Sequence, residues 1–63
     1  MFETTIDGFY FQLSNGICIV SEIATQQEVA RFNTLSPEGL PTIGNQQDIE
    51  WEAMWWIYKN VQV

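Results

Sequence analysis

Histidine is absent from the chain, cysteine occurs once, and the basic residues number two, Arg31 and Lys59. Each shortage removes a class of chemistry. Without histidine the commonest general base is missing, and one cysteine without histidine offers neither a zinc-type ligand set nor an internal disulfide. Glycine-rich phosphate loops and nucleophile elbows are missing as well. The sequence therefore assigns no catalytic residue, no cofactor site and no metal ligand, and the chain reads as a non-enzyme. Cys18, expected in mid-strand on the less apolar face of a sheet, has no cation beside it in sequence to stabilise a thiolate. It reads as a half-buried structural thiol, slow to react and dispensable.

The scarcity of cations has an electrostatic consequence. Eight carboxylates against two cations give a formal charge of −6, which opposes approach to nucleic acid and to anionic membrane surfaces. Counterion release needs several cation–phosphate contacts, so the expectation is no nucleic-acid binding. Apolar runs are too short to cross a membrane, and Met1-Phe2-Glu3 opens without the basic region of a signal peptide. The expected setting is a reducing cytoplasm, with no membrane partner.

What the chain has in quantity is aromatic and aliphatic surface. A hydrophobic fraction of 46%, with three tryptophans, two tyrosines and four phenylalanines, argues against disorder. At 63 residues the chain forms one small domain, in a size class that buries only about 60% of its unfolded surface. Domains this small lean on disulfides, metal or oligomerisation. With the first two excluded, oligomerisation remains.

The first third of the chain reads as β-structure. Strands are expected at about 2–6, 9–13 and 17–23, the first two joined by Asp7-Gly8, whose residues tolerate positive φ at both centres of a type I′ turn. That turn pairs Phe2 with Leu13, Thr4 with Phe11 and Ile6 with Phe9. For Ser14-Asn15-Gly16, a three-residue loop with a G1 bulge pairs Leu13 with Ile17 and Phe11 with Ile19. Phe2, Ile6, Phe9, Phe11, Leu13, Ile17 and Ile19 then share one core face. A two-residue Asn15-Gly16 turn would instead leave Ile17 and Ile19 outside, which disfavours it.

Thr25-Gln26-Gln27-Glu28 has the form of a capping box, and Val29 and Phe32 are spaced for one face of a short helix at about 26–33, with Arg31 in its last turn. Ser36-Pro37-Glu38-Gly39 suits a type I turn. A longer helix follows at about 46–60, with Asn45 as N-cap, Asp48 able to reach back, and Lys59 complementing the carbonyl pole and reaching over Trp55. The expected fold is α+β, a three-stranded antiparallel meander followed by a short helix, a turn-rich connection and a longer C-terminal helix packed on the sheet.

The longer helix is greasy on two sides. At 100° per residue Ile49, Ala53, Trp56 and Ile57 gather on one face and join the core, while Trp51, Met54, Trp55 and Tyr58 gather on the opposite one. Asp48 and Glu52 share a polar stripe. Two carboxylates alone fall short of a magnesium or calcium site, and a solvated helix face is the simpler reading. Stacking on bases normally comes with a cationic groove, which is missing here. Tryptophan and tyrosine are the preferred anchors of protein interfaces, and their two-sided distribution favours an interface over a monomer core.

Function is accordingly expected to be protein interaction, with the chain itself as partner through Trp51, Met54, Trp55 and Tyr58. The alternative is an acidic inhibitor or decoy, whose carboxylates imitate phosphates toward a basic nucleic-acid-binding protein. Small acidic accessory proteins encoded by bacteriophages are similar in size and charge, a likeness of class without a shared motif.

Overall fold

The computed structural model describes residues 1–62. The elements run β1 (Phe2–Ile6), β2 (Phe9–Ser14), β3 (Ile17–Glu22), β4 (Gln27–Asn33) and α1 (Gln46–Asn60). The strands form one antiparallel sheet in the order β1-β2-β3-β4. The class is α+β, as expected, but among the described residues the sheet has four strands and there is one helix rather than two.

Both of the first two hairpins close through two-residue turns. Asp7 and Gly8 have φ of 51° and 85°, and Asn15 and Gly16 have 53° and 80°, the paired positive values of type I′ turns. The first produces the expected register, Phe2 opposite Leu13, Thr4 opposite Phe11 and Ile6 opposite Phe9. The second corrects the bulged register. Leu13 faces Cys18, Phe11 faces Val20, and Ser14 faces Ile17. Shifting by one residue exchanges the faces of a strand, so Cys18 and Val20 are fully buried while Ile17 and Ile19 turn to the other side of the sheet and stay partly exposed.

The cause lies in the next strand. The segment expected as a helix at 26–33 is β4, a strand along β3 with Phe32 opposite Cys18 and Ala30 opposite Val20. Its apparent capping box serves a hairpin loop. Thr25 Oγ1 accepts from the Gln27 amide at 3.3 Å and donates to Glu22 Oε1 at 3.0 Å, while Gln26 takes a positive φ of 60° and donates its amide to the Glu22 carbonyl at 2.7 Å. Serine and threonine cap turns by the same local hydrogen bonds that cap helices. Eight isolated residues gain little as a helix; as a strand they satisfy the outer edge of β3 and bring Ala30 and Phe32 against the core.

The connection to the helix is a small folded arm. Gly39 donates to the Ser36 carbonyl at 2.8 Å and Ser36 to that of Leu40 at 2.9 Å, closing the expected turn at Pro37, and Leu35 bridges Pro41. Ile43, just before the helix, is buried. Asn45 Oδ1 accepts from the Asp48 amide at 2.9 Å and the Asp48 carboxylate accepts from the Gly44 amide at 3.2 Å, a reciprocal cap.

From that start α1 lies along β1 and β2. Ile49, Ala53 and Ile57 enter the core with Phe11, Leu13, Cys18, Val20 and Ile43, and Phe2, Ile6, Phe9, Ala30, Phe32 and Trp56 pack around them. The expected core members are thus present except Ile17 and Ile19, displaced by the turn. Trp56 sits edge-on to Phe9 and Phe11, with ring centroids 5.5 and 5.6 Å apart, a favourable aromatic geometry.

The two glycine turns can be told apart by mutation. A Cβ on Gly16 would stand 2.6 Å from the Leu35 side chain, whereas one on Gly8 meets nothing within 4 Å. Gly8→Ala is expected to cost about 1–2 kcal/mol from the left-handed backbone alone, and Gly16→Ala measurably more. Urea unfolding of the two variants checks the order.

Candidate functional site

Helical periodicity places Trp51, Met54, Trp55 and Tyr58 directly opposite Ile49, Ala53 and Ile57 on α1. With the latter three facing the sheet, the former four are pushed outward, at 61, 51, 55 and 55% exposure. They are not scattered. Together they line one shallow surface depression of about 370 Å³ with no other residue contributing.

The patch is also held in shape. Trp55 and Tyr58 stack with ring centroids 5.6 Å apart and planes 16° from parallel, and the Lys59 ammonium lies 5.4 Å from the Trp55 ring centroid. One turn of helix brings each of these partners into reach. Aromatic side chains fixed before contact lose less rotamer freedom on association than free ones. The expected place of Lys59 over Trp55 is observed; Arg31, by contrast, lies in β4 and pairs with Glu28 at 2.9 Å. That hydrogen-bonded pair holds the Glu28 carboxyl below the usual carboxylate range and raises the Arg31 guanidinium.

The flanks of the patch differ in charge. On the side toward β4, Glu52, Trp55, Trp56 and Lys59 share a groove with Ala30, Arg31 and Phe32. On the side toward β1, Gln47 and Glu50 adjoin Trp51 and Met54. Asp48 belongs to the cap, so it and Glu52 serve different surroundings.

The sheet edges are less available. Gln46 Nε2 donates to the Glu3 carbonyl of edge strand β1 at 2.7 Å. At the other edge the β3–β4 pairing slips between Val20 and Ser21, and the Glu28–Arg31 ion pair stands on the same strand. Bulges and charges are ways in which an edge resists adding another strand.

Cys18 lies elsewhere than expected. It is in the core, at zero exposure, instead of half-buried on the outer face. Burial pushes its thiol up to about 11, with the Glu52 carboxylate contributing in the same direction. Tyr10, on the outer face, donates its phenol proton to Glu3 Oε2, and that bond first, then burial, raises its pKa above 10.0.

Besides Cys18 and Val20, which the second turn brings to the inner face, Ile43 is a buried core residue that sequence reasoning missed. Its one signal is an isolated β-branched residue just ahead of a helix cap, where an incoming chain packs back on the helix. Among the described residues no group of three metal-ligating side chains converges, and no helix is long and apolar enough to cross a membrane. Comparison of the chain with models of protein families, with characterised proteins and with solved structures yields no match.

The Cys18 environment makes a pH-dependent prediction. Its native pKa lies above the unfolded value, so the associated stability is complete below about pH 9 and is lost as pH rises through about 11. Wild type should lose stability over this range more steeply than Cys18→Ala, whose remaining decline reports Tyr10. Denaturant midpoints against pH check the difference, and thiol labelling of the native protein at neutral pH should be slow.

Proposed function

We propose that this chain is a non-enzymatic protein-interaction module that self-associates through the outward face of its C-terminal helix. The observation that carries the reading is the continuous exposed patch of Trp51, Met54, Trp55 and Tyr58 on the side of α1 opposite the core. A helix with two apolar faces needs two surfaces. The sheet supplies one, and a second copy supplies the other.

Magnitude sets the expected strength. At 150–250 Å² per aromatic side chain, the exposed portions of the patch amount to roughly 400 Å² per copy. A standard interface buries about 800 Å² per partner, so the patch is the centre of a small interface completed by its rim. The expected affinity is micromolar. Tryptophan and tyrosine at such a centre carry a disproportionate share of binding energy.

Light scattering at micromolar concentration tests the proposal. Wild type should have at least the mass of a dimer, and its dissociation should change only a few-fold between low and high salt. Trp55→Glu should weaken association by about a hundredfold with the fold retained. Trp56→Glu, which puts a carboxylate against Phe9 and Phe11, should lose on the order of 3–5 kcal/mol, enough to unfold a domain of this size, as circular dichroism would show. A monomeric wild type rejects self-association; strong, steeply salt-dependent binding of that monomer to a basic protein would favour the inhibitor alternative instead.

A further inference from the structure

We infer that the two copies meet with their helices antiparallel, across a twofold axis perpendicular to them, with Lys59 of each copy against Glu52 of the other. The inference rests on self-association through the aromatic face and adds its geometry. Glu52 and Lys59 are two helical turns apart, both exposed, and on the same flank of the patch, the one toward β4. Glu50 is on the opposite flank.

Symmetry converts this layout into a choice. In an antiparallel pair each flank meets the same flank of its mate running the other way. Pivoting on the middle of the patch, near Met54 and Trp55, brings Lys59 within about 3 Å along the axis of the mate's Glu52, and the exchange is made twice. In a parallel pair each flank meets the opposite flank at the same level, which puts Glu52 beside the mate's Glu50, also twice. The first arrangement joins opposite charges and the second opposes like ones. Antiparallel helices also set each carbonyl pole beside the mate's amide pole, the favourable alignment of helix dipoles. The Gln46 bond to β1 and the irregular, charged edge of β4 leave this face as the route to a closed pair.

Charge exchange gives the test. Lys59→Glu and Glu52→Lys, each checked for native circular dichroism, should each weaken dimerisation about tenfold, since each replaces attraction by repulsion on both sides of the twofold. Mixed in equal amounts the two variants should regain wild-type affinity as a heterodimer, because every facing pair is again opposite in sign; native mass spectrometry reads its composition. In a parallel pair Glu52→Lys would strengthen association instead, by removing the clash with Glu50. Oxidative cross-linking is the second readout. Met54→Cys, near the axis, should form a disulfide dimer, whereas Gln47→Cys should not, its mate lying more than 20 Å away by the rise of the helix. A wild-type dimer that shows no heterodimer rescue, or that cross-links through Gln47→Cys, overturns the antiparallel geometry and leaves self-association standing. A wild type that is monomeric removes both.

Discussion

Two successive type I′ turns, at Asp7-Gly8 and Asn15-Gly16, lock the side-chain alternation of three strands into one phase, and the rest of the molecule depends on that phase. Phe11 and Leu13 of β2 share the inner face with Cys18 and Val20 of β3. That face in turn selects Ala30 and Phe32 from β4. A one-residue change in the second turn would replace Cys18 and Val20 with the larger Ile17 and Ile19 and leave the inner residues of β4 facing the wrong partners. Gly16 accordingly has two duties, a positive φ and room for Leu35.

A single helix over this sheet determines what remains uncovered. Because α1 lies along β1 and β2, β4 meets it only across the groove lined by Phe32, Trp56 and Lys59. The buried stripe of α1 consists of Ile49, Ala53 and Ile57, one small residue between two branched ones. Trp56 fills the side of that contact against Phe9 and Phe11. The other two tryptophans have no place inside so thin a two-layer structure. Their exposure is a matter of geometry before it is one of function: with one layer of helix there is no inward direction left for the opposite face.

The acidic character of the chain fits this arrangement. Carboxylates are spread over turns, strands and helix, while the aromatic patch has Lys59 and Glu52 along one side and Glu50 along the other. The centre of the patch carries no charged side chain, whereas its two flanks do.

The sequence by itself determined those elements whose signals are local and unambiguous. The Asp-Gly turn specified the first hairpin, the Pro37–Gly39 turn specified the bend of the connection, and Asn45 with Asp48 specified the helix start, because in each case the residues that define the conformation also satisfy it through neighbours in sequence. The two faces of α1 were likewise legible, since a 3.6-residue period sorts its apolar side chains without reference to anything outside the helix. Only the tertiary structure decided the second hairpin register, the nature of 27–33 and the burial of Cys18 and Ile43. These are coupled through partners distant in the chain: two apolar residues on each face of β3 left its phase open until β4 supplied Ala30 and Phe32 on one side, and Thr25 can cap a loop as well as a helix. Local hydrogen bonds and spacing permitted either answer there, and the apolar area that a fourth strand buries chose between them.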